Sequence, residues 1–591
     1  MVDLRTVEDI YSPMRKTGKK FSNVSIIRCA IVVLIIGFIK EPLSAQTNLP
    51  QGDPIETIYR LHQIHGINSA TYSFLLRPVL AISEIEADGK SGHFNFYRYT
   101  PEGYGYSVAG SGSHIKIQLF EPVWFQSYNT ALPGGGMDGA IWQGRGYNSS
   151  FSTGFHLKSG PLHLTLRPVF GFAQNRSFDM GPYDPPQIRT NYYRGTAGEY
   201  AYRGFRGIID QPIRFGPDSY SWFDLGDSSL EVRFQGFSAA LSNQRLWTGP
   251  GIHNSLQFGY NAPGFMHFRL GTYRPVETRI GSFEGMYIFG GVRKSDYLDE
   301  NVYDRHSVNT LALVYSPRFA PGLSVGAVRT FFHRYPADFA EFRNQATKLF
   351  EAAVRVGLQD EENPTGYDPD NQIGSVFARW FFPESGFEFY FEYGRNDHNV
   401  DLRDFRAHPN HHRAYLLGLQ KSMKFSNSTF LSAGLELMQT ETTRSSLLRG
   451  NEYLGGWYTH GQQVVGFTNR GQIMGTAFGP GTNVQMIFSD LYTPKGRYGI
   501  TFSRIVYHNS RVDQYFSQIQ RVNEQSVERW QVRNVEFMAG LKASFLVLYG
   551  LEIDAAIEHS FIFNHHNLMG NDLSNTRFEL TLRKRIEGWL R

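Results

Sequence analysis

The sequence predicts an all-β protein, a transmembrane antiparallel outer-membrane β-barrel of about 18 strands with a short N-terminal helical periplasmic segment. Three observations predict it: a leader-like N-terminus, polar and apolar residues that alternate along most of the body, and an unusual composition. The 591 residues include 47 Phe, 33 Tyr, 8 Trp and 60 Gly. So many aromatic residues exclude a disordered chain, and the lack of apolar runs long enough for several helical spans excludes a helical membrane protein.

The N-terminus has the order of a secretion signal. Residues 29–39 form an apolar run that is too short to cross a bilayer as a helix and fits the central part of a signal peptide. We expect cleavage after Ala45, and a start at Met14 would give a leader of ordinary length. The alternative is that the run remains as an uncleaved anchor. The only cysteine, Cys29, lies in this leader, so the mature chain would contain no disulfide and no thiolate metal site.

Alternation with a period of two predicts the strands. Phe387, Phe389 and Phe391 share one face of a strand, whereas Glu388 and Glu392 share the other. The same pattern recurs in segments 115–119, 147–158, 162–172, 431–438, 551–558 and 578–585. At roughly 30 residues per strand and connection, the mature chain accommodates on the order of 18 strands. The alternative is a secreted soluble β-protein such as a propeller, but the sequence has no fixed-period repeat.

The expected organisation has three parts. Residues 1–45 form the signal peptide, 46–100 the N-terminal periplasmic segment and 101–591 the barrel. Within the second part, 53–66 predicts an amphipathic helix capped by Asp53, which would lie on the periplasmic side or block the lumen. The long polar connections are candidate outer loops or inward-folded segments: 174–226, 359–372, 396–413 and 440–482.

The charge is nearly balanced. The first 45 residues hold 7 Lys and Arg against 4 Asp and Glu, which leaves 51 basic and 50 acidic residues in the body. A neutral body does not favour nucleic acid as a partner. Arginine outnumbers lysine by 44 to 14, a bias that suits planar hydrogen bonding at fixed sites.

Five segments resemble the Wzi-type capsule-assembly proteins and keep that family's order along the chain: 142–148, 246–256, 379–397, 408–419 and 467–483. The resemblance implies an outer-membrane barrel of 18 strands with a helical periplasmic portion. The role that it implies is that of a lectin, which binds capsular or related exopolysaccharide and holds it at the cell surface. The implied partners are that polysaccharide and outer-membrane lipid, with the polysaccharide export machinery as a further candidate. No cofactor is implied.

A polysaccharide site needs aromatic faces for the C–H surfaces of sugars and planar polar groups for hydroxyls and carboxylates. The family-like segments are rich in both. The candidate binding residues are Trp142, Arg145, Asn148, Trp247, His253, Asn254, Arg379, Trp380, Glu388, Glu392, Arg395 and Asp397. The alternative is structural, since Trp and Tyr belong to the interface girdles of barrels and Arg with Glu fills closed lumens.

Catalysis is not expected. The sequence has no HExxH, Walker A or GxSxG motif. Glu388 and Glu392 lie about 13 Å apart along one strand, farther than the paired carboxyls of glycosidases. The histidines at 408, 411 and 412 are interpreted as part of a polar outer loop rather than a metal site.

Two other functions remain open: a porin or substrate-specific channel, and a barrel that works within secretion or surface-motility machinery. A continuous water-filled lumen favours transport, whereas a packed lumen favours anchoring.

Overall fold

The computed structural model describes most of the chain. The described residues are 54–66, 72–78, 106–108, 115–136, 138–181, 209–298, 303–350, 370–396, 406–407, 409–410, 412–426, 429–443, 456–460, 463–547 and 550–584. They belong to one compact unit, 44–591. The predicted leader 1–45 and the candidate site residue Asp397 lie outside the described residues.

The strands close into one antiparallel barrel, as the sequence predicts, with the last strand paired to the first long one. The strands are β2 (Tyr106–Val108), β3 (Ile115–Asn129), β4 (Gly146–Ser159), β5 (Leu162–Leu166), β6 (Val169–Ala173), β7 (Tyr220–Asp224), β8 (Ser229–Phe234), β9 (Phe237–Ser242), β11 (His267–Thr272), β12 (Val276–Glu277), β13 (Gly281–Arg293), β14 (Arg305–Pro317), β15 (Leu323–Arg334), β16 (Asn371–Phe382), β17 (Phe387–Asn396), β18 (Arg413–Ser426), β19 (Thr429–Gln439), β22 (Asn483–Thr493), β23 (Gly496–Tyr507), β24 (Asn534–Leu546), β25 (Leu551–Phe563) and β26 (Leu573–Lys584). Counted over the described residues, the barrel wall has 18 strands. In this count β5 with β6 and β7 with β8 are each one interrupted strand, and β2 and β12 are short additions.

The other elements are short. Two small two-stranded sheets pair β1 (Leu76–Arg77) with β10 (Trp247–Thr248) and β20 (Thr468–Asn469) with β21 (Gln472–Ile473). The helices are α1 (Pro54–Ile64), α2 (Phe339–Lys348) and α3 (Asn509–Asn523), with 3-10 turns at Arg529–Val532 and His565–Asn567. None of the described helices is both long and apolar enough to cross a bilayer.

The two faces of the barrel differ as the alternation predicts. On β17, Phe389 and Phe391 are exposed on the outside, whereas Glu388, Tyr390 and Glu392 are buried inside. Closure leaves no unpaired sheet edge, and an apolar outer face with polar residues inside is typical of outer-membrane barrels. The same arrangement recurs on the other strands, so the barrel is of the outer-membrane type.

The two ends of the barrel also differ. Tight turns at 160–161, 235–236 and 494–495 lie at one end, and connections such as 130–145, 243–266 and 440–482 lie at the other. In barrels of this type the short turns face the periplasm and the long loops face outward. We use the terms periplasmic end and outer end in this sense.

Helix α1 lies inside the periplasmic end of the barrel, within the segment 53–66 for which the sequence predicts a helix. Its buried apolar residues follow helical spacing: Ile58, Tyr59, Leu61 and Ile64. A ring nitrogen of His65, just after the helix, is 2.8 Å from the hydroxyl oxygen of Ser422 on the barrel wall. The helix is therefore attached to the wall by polar as well as apolar contacts.

Two long connections fold inward from the outer end, and one of them pairs with the N-terminal segment. In one, Leu76 and Arg77 pair with Thr248 and Trp247 to form the β1–β10 sheet. In the other, the Tyr458 hydroxyl donates a hydrogen bond to the Leu256 carbonyl at 2.8 Å. Apolar side chains bury themselves between these segments and the wall, among them Phe258, Trp457, Phe467 and Ile473. The N-terminal segment, 243–266 and 456–482 together pack much of the lumen.

Candidate functional site

A buried ion cluster fixes α1 to the barrel wall. Glu388 accepts a hydrogen bond from Arg60 Nε of α1 at 2.8 Å and another from Arg379 Nε of β16 at 2.6 Å. Arg379 also donates to the Gln63 side chain at 2.6 Å and to the Ser73 carbonyl at 3.1 Å. The structure therefore brings the predicted residues Arg379 and Glu388 together, but it occupies both with the N-terminal segment rather than leaving them open to a ligand.

Glu392 faces the inward-folded connection. Its Oε1 accepts a hydrogen bond from the Ser375 hydroxyl at 2.6 Å. A methyl group at Gly249 would lie 2.4 Å from Glu392 Oε2, and Gly249 has a φ of +90°. Glycine therefore lets the backbone of 243–266 approach this carboxylate, and Glu392 supports the packing of that segment.

Two predicted residues lie on the outer side of the barrel. Trp380 donates to the Pro321 carbonyl at 3.3 Å and stacks on Phe382 with ring centroids 5.1 Å apart. Arg395 has the same alternation phase as the outward-facing Phe389 and Phe391. Neither position faces the lumen. Trp380 belongs to an aromatic group at the periplasmic end, as expected for a barrel girdle.

Trp142, Arg145 and Asn148 brace the outer connection 130–145. The Trp142 ring packs 4.7 Å from that of Phe215. Arg145 donates from Nε to the Thr130 carbonyl at 3.0 Å. The buried amide of Asn148 donates to the carbonyls of Gly144 and Gly146 at 2.9 and 3.1 Å. These contacts hold the loop above the barrel opening.

The remaining predicted residues, Trp247, His253 and Asn254, line a cavity of about 560 Å³. The Asn254 amide donates to Glu436 Oε1 at 2.8 Å and accepts from the Thr476 hydroxyl at 3.1 Å, which fixes its orientation. Burial lowers the pKa of His253 to about 4, so the ring is neutral at physiological pH. Among the described residues, neither the indole N–H of Trp247 nor Nε2 of His253 has a hydrogen-bond partner. One wall of the cavity is thus formed by an inward-folded segment.

The opposite wall is the inner face of β22–β26, where the sequence analysis placed no site residue. Arg577 Nη2 lies 2.6 Å from Glu558 Oε2, and Arg577 Nε lies 3.5 Å from Glu579 Oε1. The Tyr507 hydroxyl donates to Glu536 Oε2 at 2.7 Å. Because these side chains sit at alternate positions on neighbouring strands, they form a ladder of charged groups along the cavity. The available signal was a shared alternation phase within each strand: Glu552, Asp554 and Glu558 on one strand, and Arg577, Glu579 and Arg583 on the next.

A further carboxyl lies beside this ladder. The Gln143 amide donates to Asp138 Oδ1 at 2.9 Å and to Glu579 Oε1 at 3.5 Å, so it bridges the loop and β26. Burial raises the pKa of Asp138 to about 7, although the charge of Arg577 acts in the opposite direction. This loop carboxyl therefore changes charge near neutral pH at the edge of the ladder.

The part of the chain that the structure describes contains no group of three or more His, Cys, Asp or Glu arranged to hold a metal ion. The histidines at 408 and 411 lie outside the described residues. The polar groups of the cavity are instead those that hydrogen-bond hydroxyls.

No protein-family model matches the chain, and no curated protein matches it. Among solved structures, the chain is similar to Wzi of Escherichia coli, described as an outer-membrane protein involved in group 1 capsule assembly and as a carbohydrate-binding β-barrel. The identity is 12% over 78% of this chain and 83% of that chain, with a TM-score of 0.49. The chain is also similar to the outer-membrane protein OprD from Pseudomonas aeruginosa, with 10% identity, coverage of 82% and 97%, and a TM-score of 0.36. For OccAB3 of Acinetobacter baumannii the values are 10%, 79%, 98% and 0.38. At these identities the similarity concerns the fold, and function has to be argued from the residues of this chain.

Proposed function

We propose that this protein is an outer-membrane lectin that binds capsular or exopolysaccharide and helps to assemble or retain it at the cell surface. The observation that carries the proposal is the cavity between the inward-folded segments and the inner wall of β22–β26. Its volume of about 560 Å³ falls within the usual range of ligand pockets. We propose binding rather than catalysis, with no cofactor.

The chemistry of the two walls supports a sugar ligand. One wall offers the half-buried ring of His253, with Trp247 and Asn254 almost fully buried beside it. The other offers the carboxylates of Glu536 and Glu558 with the guanidinium of Arg577. Sugar rings have apolar C–H faces and a rim of hydroxyls, and such a pair of walls satisfies both. The site assignment therefore narrows to Trp247, His253 and Asn254 from the predicted set, joined by residues of β24–β26.

The balance of charge favours a particular class of sugar. Three carboxylates line the cavity, those of Glu536, Glu558 and Glu579, against two cations, Lys542 and Arg577. An excess of carboxylates repels uronic acids and accommodates neutral or amino sugars. Neutral stretches of a polysaccharide are thus the expected occupants.

The test is a binding measurement on the purified barrel with the polysaccharide of its native host. Glu558→Gln keeps the shape of the side chain and removes its charge, so the Arg577 pair is weakened and the sugar loses a strong acceptor. We expect affinity to fall about 10- to 100-fold, as for a lost charge-assisted hydrogen bond. The matched control is Asp554→Asn, on the same strand and face but outside the cavity lining, which should leave binding unchanged.

Equal binding by wild type and Glu558→Gln would contradict this site, and no binding by the wild-type barrel would contradict the lectin function. A panel of neutral and uronic-acid oligosaccharides, used as competitors, tests the charge argument. Better competition by the uronic acids would overturn the assignment to neutral or amino sugars.

The second candidate function is a porin or substrate-specific channel. One observation favours it, because the cavity is a part of the lumen that the inward segments leave unfilled. Against it stands α1, which packs inside the periplasmic end. Single-channel conductance of the wild-type barrel in a planar bilayer separates the two: steady conductance supports the channel, and silence supports the lectin.

A further inference from the structure

Helix α2 lies against the outside of the barrel wall. The Phe342 ring packs 4.7 Å from Phe289 of β13, and the Tyr287 hydroxyl donates to the Ala346 carbonyl at 3.4 Å. Tyr287 and Phe289 alternate with Met286 and Ile288, which belong to the buried interior core, so they face outward. The helix therefore covers the lipid-facing side of the barrel rather than its opening.

The strand beneath α2 has an unusually short apolar outer face. On β14 the outward apolar residues are Leu311, Leu313, Tyr315 and Pro317, and the next two outward positions toward the outer end are Asn309 and Ser307. Those four residues extend over about 20 Å of strand, or about 14 Å of height at a tilt near 45°. The apolar band of an outer-membrane barrel is about 25 Å tall. On β14 alone, the bilayer would meet polar side chains well inside the band.

A strand elsewhere in the barrel has an apolar outer face of nearly the full height of the band. On β24 the outward positions from Val535 to Phe545 are all apolar, and they include the exposed Leu541. They extend over about 33 Å of strand, or about 23 Å of height at the same tilt. Nearly the full height of the apolar band is thus present on β24, whereas on β14 the outward polar residues lie beneath α2.

The inner face of α2 satisfies the polar residues of that region. The Ser307 hydroxyl donates to Gln345 Oε1 at 2.7 Å, and the Asn309 amide donates to the Gln345 carbonyl. The Gln345 amide donates in turn to the Arg334 carbonyl at 2.9 Å. All of these side chains except Arg334 are buried. With α2 in place, lipid no longer meets Ser307 and Asn309.

The outer face of α2 carries aromatic residues at both ends. Phe339 is 76% exposed and Phe350, just after the helix, is 71% exposed, with Arg343 exposed between them. Leu349 and Phe342 turn toward the wall. Exposed phenylalanines with this spacing are costly in water and expected in the interfacial layer of a bilayer.

We propose that α2 is an interfacial membrane helix that restores the apolar band over β14, with Phe339 and Phe350 inserted among the acyl chains of the outer leaflet. Arg343 on the same face reaches the headgroup layer through its long side chain, as arginines at interfaces do. The occupant of this surface is the hydrocarbon of the outer leaflet itself. This inference does not depend on the proposed polysaccharide binding.

The test uses a fluorophore attached to single cysteines of the full chain in a Cys29→Ser background, reconstituted in phosphatidylcholine vesicles. The variant is Phe350→Cys, with Leu313→Cys as the lipid-facing reference on β14 and Ser526→Cys as the exposed loop reference. Lipids with a quencher near the headgroup should quench the label at 350 to at least half the extent seen at 313. They should leave the label at 526 unquenched.

A label at 350 that behaves like the one at 526, with quenching only by a water-soluble quencher, would overturn the proposal. Phe339→Cys provides a second position that does not rely on the first. Heat-modifiable migration of each variant establishes that the barrel is folded before quenching is compared.

Discussion

The ion cluster that fixes α1 gives the sharpest prediction. In Glu388→Gln, the guanidinium groups of Arg60 and Arg379 lose their shared carboxylate, and both remain buried. Removing one partner from a buried pair costs about 3–5 kcal/mol. The apolar contacts of α1 oppose its release, since burying Ile58, Leu61 and Ile64 contributes about 1.5–3 kcal/mol each. The helix should therefore stay docked most of the time. The fraction of barrels from which it is released should rise by about two to four orders of magnitude relative to wild type.

The assay is single-channel recording in a planar bilayer together with protease protection of the N-terminal segment. Wild type should remain closed and protected. Glu388→Gln should show transient openings and faster cleavage near α1. The matched control is Glu384→Gln, an exposed glutamate in the turn between β16 and β17, which should behave like wild type. A Glu388→Gln barrel that is folded, closed and protected to the wild-type extent would refute the reasoning.

Two further predictions concern the inward-folded segment 243–266 and the residue Asp210, whose backbone N–H donates to the Val465 carbonyl of the segment 456–482 at 2.8 Å. Gly249→Ala should destabilise the barrel by about 1–3 kcal/mol in urea unfolding, because its φ of +90° is strained for alanine and its methyl group would meet Glu392. Gly236→Ala has a similar φ of +89°, but its methyl group would make only ordinary van der Waals contacts, so it should cost less; equal costs would contradict the role of Glu392. Burial raises the pKa of Asp210 to about 6, so the folded state keeps a proton that the unfolded chain loses between about pH 4 and pH 6. The free energy of unfolding should fall by up to about 3 kcal/mol as the pH rises through that window. Asp210→Asn should remove this fall, measured as thermal unfolding followed by heat-modifiable migration. A pH profile that is the same in Asp210→Asn and wild type would contradict the assignment of this effect to Asp210.

The architecture could be predicted from the sequence because alternation is a local signal. β17 is one example, because its residue types alone predict that the phenylalanines face outward and the glutamates face inward. The same phase places Arg395 outside, in register with Phe389 and Phe391. The outward position of Trp380 depended on knowing that it pairs with Phe389.

The site was less predictable because it depends on contacts between distant parts of the chain. Arg60 and Glu388 are separated by 328 positions, so nothing local marks Glu388 as a partner of the N-terminal helix rather than of a ligand. The ladder of Glu558 and Arg577 was missed because it becomes a cavity wall only where the inward segments leave space. Helix α2 lies on the outside of the barrel, where strand alternation gives no signal for a helix.

The most direct test of the central claim is a deletion of this gene in its native host, with the amounts of polysaccharide bound to cells and released to the medium measured separately. The lectin function predicts a shift from bound to released polysaccharide with total synthesis unchanged, and restoration by the wild-type protein but not by Glu558→Gln. An unchanged ratio of bound to released polysaccharide would contradict the account.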